Sequence, residues 1–151
     1  MSLMFSYGMN TNPAGMALRC PAAVALGRAI LPDHMFRFCY HADIVDALEY
    51  QTEGVLWRVT DKCMEALDRL EGYPHYYTRK MVKVKCGGDT FDAWVYQMNF
   101  ASTGIPPDPE MPDMGYLQNV MEGYIHYGCD RTQIYQALQE AEAMDFIRFQ
   151  I

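Results

Sequence analysis

Short apolar runs broken by glycine and proline fill most of the chain, and apolar stripes at fourfold spacing take over in its last third. Met4-Phe5-Ser6-Tyr7 is the first run, and it stops at Gly8 as a strand entering a tight turn does. Asn12 followed by Pro13 reads as an N-cap with proline at the first helical position. The order is therefore strand, polar turn, short helix. The start of such a helix carries backbone N–H groups without partners, which suits a carboxylate or an oxyanion. Strands are predicted from Val24 to Ile30 and from Met35 to Tyr40, separated by Leu31-Pro32-Asp33-His34, and again from Gly54 to Val59. Thr60 or Asp61 then caps a helix that carries Met64, Leu67, Leu70 and Glu71 and ends at Gly72. A hairpin follows, Met81 to Cys86 and Phe91 to Tyr96, turning at Gly87-Gly88. Residues 101–113 hold Pro106, Pro107, Pro109 and Pro112 and form an irregular loop, either a lid or a tether.

In the last third, Tyr116, Val120 and Tyr124 recur with Leu117, Met121 and Ile125 as a wide helical stripe. After Gly128, Asp130 caps a final helix bearing Ile134, Leu138 and Ala141. Strands early and helices late predict an α+β fold rather than alternating βαβ units. No internal repeat divides the sequence, so one domain over residues 1–151 is expected.

Composition narrows the function classes. At 151 residues the chain is long enough for a real core, and its 50% hydrophobic and 21% charged residues are ordinary for a globular protein. A formal net charge of −7 argues against a nucleic-acid partner, which needs clustered Lys and Arg. The densest basic run, Arg79 to Lys85, alternates as a solvated strand face does. No apolar run reaches the roughly 20 residues of a membrane span, and the N-terminus lacks the pattern of a signal peptide. Cys20, Cys39, Cys63, Cys86 and Cys129 are scattered without a CxxC pair. They predict core thiols, neither a zinc site nor a disulfide framework, and a reducing, cytoplasmic setting.

Glu71 breaks two local rules. It lies four residues after Leu67 and seven after Met64, on the apolar face of its helix. It also sits in the last turn, where the helix dipole is negative. Both the dipole and burial favour the protonated acid and raise its pKa, as proton-transfer chemistry near neutrality requires. The plainer alternative is a glutamate fraying into solvent. Asp68, off the Met64/Leu67 face, reads as a solvated surface acid.

Two segments taken together resemble the gamma-glutamylcyclotransferase-like family. One is Tyr7-Gly8-Met9-Asn10 after the first strand. The other is Leu67-Asp68-Arg69-Leu70-Glu71-Gly72-Tyr73-Pro74 after a later helix. Arg19-Cys20-Pro21, Leu26-Gly27-Arg28-Ala29, Glu53 to Val59, and Tyr116-Leu117 followed by Gly123 extend the similarity over roughly residues 4 to 128. The resemblance implies a small mixed β-barrel flanked by helices. It also implies an enzyme that opens a gamma-glutamyl amide by internal attack, releasing 5-oxoproline and a free amine or amino acid without metal or cofactor. The family's catalytic glutamate falls on Glu71, and its substrate loop falls on Tyr7, Gly8, Met9 and Asn10. A tyrosine following the glutamate falls on Tyr77 in preference to Tyr76, and a helical tyrosine on Tyr116. Met9 stands where most members carry serine, so any role of that hydroxyl is absent here. The expected partner is a small gamma-glutamyl compound, with the chain a monomer or a homodimer.

Other chemistries have thinner support. Cys20 and Cys129 with His34, His41, His75 or His126 form no motif of a cysteine hydrolase. His75 beside Tyr76 and Tyr77 is a surface imidazole or a pocket residue. His41 and Asp43, two residues apart, are a weak basis for a metal site. A non-catalytic small-molecule binding module on the same fold is the alternative from another class.

Overall fold

Alternating apolar residues on short β-branched runs build a five-stranded barrel in the computed structural model, which describes residues 1–150 with side chains through residue 148. Strand β1 (Ser2–Ser6) is followed by a 3-10 turn (Met9–Thr11) and helix α1 (Pro13–Arg19). Strands β2 (Val24–Cys39) and β3 (His41–Val59) come next, then helix α2 (Asp61–Glu71) and the hairpin β4 (Tyr77–Cys86) and β5 (Asp89–Met98). Helices α3 (Met114–Tyr127) and α4 (Thr132–Gln150) end the described chain. The strands close in the order β1-β3-β2-β4-β5, with β1 parallel to β5 and the other pairs antiparallel. This is the mixed α+β barrel that the family resemblance implies.

The two strands predicted over 24–40 are one, and the reason is a bulge. Register shifts at Ala25/Gly27 and Pro32/His34, with Asp33 at φ 58°, absorb the proline without ending the strand. β3 likewise begins at His41 rather than at Gly54, after the chain reverses at Tyr40 with a left-handed φ of 67°. At the hairpin tip Gly87 and Gly88 take φ of 60° and 88°, the two left-handed residues a two-residue turn demands. Helix caps fall where the sequence puts them. Asn12 accepts from Ala14 and Thr60 from Cys63, while Gly72 closes α2 at φ 65°; Asp113, a cap the sequence reading did not name, accepts from Tyr116.

The core runs through the barrel and out under α3. Phe5, Phe38, Ile44, Leu56, Leu67 and Tyr124 are all fully buried. On α3 the stripe is narrower than predicted: Val120, Gly123 and Tyr124 are buried, whereas Ile125 is 60% exposed. Gly123 is the point where α3 meets the 3-10 turn. A Cβ there would collide with Thr11 Oγ1 and stand 2.7 Å from the Asn12 nitrogen and the Thr11 carbonyl carbon. Gly123→Ala gains about 1 kcal/mol of helix propensity but meets backbone that cannot yield locally. A net loss of about 1–3 kcal/mol of stability is expected from such overpacking, read as a lowered Tm.

The proline-rich segment is tied down over its second half. Glu110 pairs with Phe38 and Tyr40 through backbone hydrogen bonds of 2.9 and 3.0 Å. Arg37 Nη1 donates to the Pro107 carbonyl at 2.7 Å, and Arg148 Nη2 to that of Pro109 at 3.1 Å. These contacts make the segment a tether that delivers α3 to the barrel. Among the described residues no helix is long and apolar enough to cross a membrane.

Candidate active site

Chain reversal at Gly8 puts the end of β1, the 3-10 turn and the end of α2 around one cavity of about 280 Å³. Tyr7, Gly8, Met9, Asn10, Glu71, Tyr77 and Tyr116, all the site residues expected from the sequence, line it together. Its wall is largely aromatic, and Tyr76, Tyr96 and His41 contribute as well.

The turn at the cavity floor is shaped by its own hydrogen bonds. Thr11 N–H donates to the Gly8 carbonyl and Asn12 N–H to that of Met9, both at 3.1 Å. In such a turn the first N–H groups have no partner within the helix. Gly8 is needed at its entrance, because a Cβ would stand 2.9 Å from the Ala42 Cβ and 3.2 Å from the Tyr116 hydroxyl. That hydroxyl accepts the Ala42 N–H at 2.9 Å, and the Met9 N–H also turns toward it. Tyr116 thereby staples the turn to β3.

Glu71 ends α2 partly buried, with its carboxylate in the cavity. Asn10 Nδ2 donates to Oε1 at 3.1 Å. Burial pushes the Glu71 carboxyl up to about 7, against the opposing pull of Arg19 and of the Asn10 hydrogen bond. The proton on this group is therefore exchangeable around neutrality. By contrast the surrounding phenols stay neutral: burial drives Tyr7, Tyr77, Tyr96 and Tyr116 upward from the usual tyrosine value.

Most of these phenols are engaged with the barrel. Tyr7 donates to the Tyr96 carbonyl at 2.7 Å and Tyr77 to the Ala42 carbonyl at 2.6 Å. Tyr76 is different. It is half exposed, and its hydroxyl lies 2.8 Å from His41 Nδ1 at the cavity rim, where the His41 ring also packs on Tyr116. His75, the neighbour of Tyr76, is exposed and does not line the cavity. His41 is thus placed against Tyr76, while Asp43 is buried with Arg37 at 3.0 Å, so the two do not converge as a ligand pair.

Asp68 corrects the sequence reading. It is not a solvated acid but accepts from Arg79 Nε and Nη2 at 3.0 and 3.2 Å and from the Tyr96 hydroxyl at 2.6 Å. Arg79 is itself stacked on Tyr73 and Trp94. The basic run on β4 is therefore only partly a solvated face. Lys83 is exposed, whereas Arg79 reaches back over α2 and fixes, through Asp68, a tyrosine of the cavity wall. The cysteines behave as core thiols: Cys20, Cys39, Cys63 and Cys129 are buried and Cys86 is partly buried, all unpaired.

Sequence reasoning gave no site role to Tyr96 or Arg19, and weighed His41 only as a weak metal ligand or a partner for a cysteine. Tyr96 and His41 are cavity residues because of strand register, which a single run of sequence does not reveal. Arg19 donates from Nε to Asn10 Oδ1 at 3.0 Å and so stands directly behind the residue that touches Glu71. Its local signals are the Arg19-Cys20-Pro21 segment and Gly15 four residues earlier on the same helix face.

Comparison with known proteins places this barrel. No curated protein matches the sequence. A solved structure described as gamma-glutamyl cyclotransferase superposes with a TM-score of 0.76 at 22% identity, covering 91% of this chain and 86% of its own. A human protein described as uncharacterised gives the same four figures. YkqA from Bacillus subtilis superposes with a TM-score of 0.71 at 23% identity, over 83% of this chain and 49% of its own. At these identities the likeness is one of fold. The sequence itself matches the profile of gamma-glutamyl cyclotransferase, AIG2-like, over residues 4–116, a span that holds the turn, α2 and all of the barrel but the first two residues of β1. This chain therefore belongs to the gamma-glutamyl cyclotransferase, AIG2-like family.

Proposed function

We propose that this protein is a gamma-glutamyl cyclotransferase, releasing 5-oxoproline and a free amine or amino acid from a gamma-glutamyl amide. The observation that carries the reading is a carboxyl that burial pushes up to about 7, lining the same small cavity as the Gly8-Met9-Asn10 turn. Family membership supports it independently.

In this reading Glu71 takes a proton from the substrate α-ammonium, and the freed amine attacks the gamma-carbonyl carbon of the same molecule. A carbon–nitrogen bond forms to close the five-membered lactam, and the original amide carbon–nitrogen bond breaks. Glu71 returns its proton to the departing nitrogen. The second proton lost by the attacking nitrogen ends on the released amine, which leaves as an ammonium ion, so charge and protons balance. Backbone N–H groups of the turn other than that of Met9, which faces the Tyr116 hydroxyl, hold the α-carboxylate or the developing oxyanion. That work belongs to the backbone, so methionine at position 9 is compatible with it. Because nucleophile and electrophile share one molecule, the protein's task is to select a folded-back conformer and to move protons. The tyrosine wall supplies shape: Tyr77 and Tyr116, with hydroxyls already bonded to Ala42, keep fixed positions against the substrate.

Substrate identity is tested by assaying 5-oxoproline release from a panel of gamma-glutamyl amines and gamma-glutamyl dipeptides. Turnover of at least one member is expected, with kcat/KM rising through an acid limb near 7 as Glu71 loses its proton. No release from any member would leave the cavity as a binding site on a shared fold.

A further inference from the structure

Arg19 is a cation whose side chain makes one hydrogen bond among the described residues, and that bond goes to a neutral amide. Its Nη2 is buried and has no hydrogen-bond partner among the described residues. The guanidinium folds back along α1 onto Gly15, where a Cβ would stand 2.6 Å from Nη2, 3.1 Å from Nη1 and 3.2 Å from Cζ. A Cβ at position 15 would force the guanidinium to shift out of this posture.

What the posture does follows from the inventory of donors. Arginine can only donate, so the Asn10 amide must turn Oδ1 toward it, which leaves only Nδ2 for Glu71. A donor on Glu71 favours the carboxylate. Without Arg19 the amide is free to present Oδ1 instead, an acceptor that favours the protonated acid. The charge of Arg19 acts in the same direction across the short relay.

We propose that Arg19, held over Gly15, is a positioning residue that locks the Asn10 amide with its NH2 end on Glu71 and so keeps Glu71 available as a base near neutrality. The proposal rests on Glu71 being the base of the site. Tyr7 just after β1, His41 from β3, Tyr76 just before β4, Tyr77 at its start, Tyr96 from β5 and Tyr116 from α3 are the other titratable groups around the cavity. None of them is a carboxylate, and the one cation acting on Glu71 is Arg19.

The test compares wild type with Arg19→Met, Arg19→Lys and Gly15→Ala. Two readouts are taken: the pH profile of kcat/KM and the midpoint of the Glu71 side-chain carboxyl titration by carbon-13 NMR. In Arg19→Met the midpoint moves up by roughly one pH unit from the starting value of about 7. Activity at pH 6 then falls about tenfold and recovers toward wild type at pH 9. Arg19→Lys, which keeps the charge, falls between the two. Gly15→Ala strengthens the helix yet moves the midpoint in the same direction, because it evicts the guanidinium without removing it. Unchanged midpoints in both Arg19→Met and Gly15→Ala overturn the proposal. So does a loss of activity equal at every pH, which marks a merely structural arginine. Should no gamma-glutamyl compound be turned over, the cyclotransferase reading fails, while the NMR midpoints still decide the role of Arg19.

Discussion

Glu71→Gln is expected to lose most of its turnover and yet to yield a protein that is harder to unfold at pH 8 than wild type. The loss of activity follows from removing a proton acceptor while keeping the shape and the Asn10 contact, and a factor of about 10²–10⁴ is expected for general base catalysis. The gain in stability follows from linkage. In the unfolded chain this carboxyl ionises near 4.5, and in the folded protein near 7. Between those values the native state binds more protons than the unfolded one, so stability falls as pH rises and stays reduced above 7. A displacement of that size corresponds to at most about 3 kcal/mol, which the neutral amide does not forfeit. Thermal melts at pH 4 should therefore coincide, and at pH 8 the variant should melt higher by roughly 3–10 °C, taking a few degrees per kcal/mol for a domain of this size. Wild-type turnover in the variant would move the base elsewhere. Coincident melts at every pH would remove the raised pKa.

Arg37→Met should be the most damaging single change outside the cavity. Asp43 is 1% exposed and Arg37 7%, and Arg37 Nε and Nη2 meet Asp43 Oδ2 at 3.1 and 3.0 Å. The other carboxylate oxygen accepts the Met98 N–H at 2.9 Å, tying β3 to the end of β5. Burial already pushes the Asp43 carboxyl up, with Met98 and Arg37 holding it down. Deleting the arginine strands a desolvated carboxylate, a change that costs about 3–5 kcal/mol, or roughly 6–20 °C in Tm. It also frees the Pro107 carbonyl, so limited proteolysis should begin cutting within residues 101–113. Adding Asp43→Asn should recover much of the loss, because the amide oxygen still accepts from Met98 and no charge is left buried. A double variant as unstable as the single one would assign the damage to the loop contact instead of the stranded charge.

Glu71 was legible because its anomaly is local: an acid on an apolar face at the wrong end of a helix can be seen within eight residues. The caps were legible for the same reason. Asp68 was misread because helical periodicity tells which face a residue occupies but not what covers that face. Its partners Arg79 and Tyr96 come from β4 and β5, joined only when the barrel closes. The length of β3 was hidden because its middle, Leu48 to Gln51, lies exposed and separates the buried run at Ala42 to Ile44 from the one that starts at Thr52. Tyr76 and Tyr77 are adjacent in sequence, so no pattern separates them. The start of β4 does so: Tyr77 is its first residue and sends its hydroxyl to the Ala42 carbonyl, whereas Tyr76 lies just before the strand and reaches His41 at the rim. The relay from Arg19 through Asn10 to Glu71 was beyond reach, because its last step spans 61 positions and its first depends on a missing side chain.

Strand β1 pairs with β3 on one side and with β5 on the other, matching Met4 to Trp94. During synthesis, then, the opening segment of the chain must wait, unpaired along one edge, until some ninety further residues have left the ribosome. The turn that follows β1 shares that delay. Any early folding of the β2–β3 hairpin leaves a gap where Tyr7 to Asn10 will later lie, and the cavity comes into being only as the barrel seals. An N-terminal fusion that retards docking of Ser2–Ser6 would consequently yield protein rich in strand yet poor in turnover, with maturation of activity lagging behind the appearance of secondary structure.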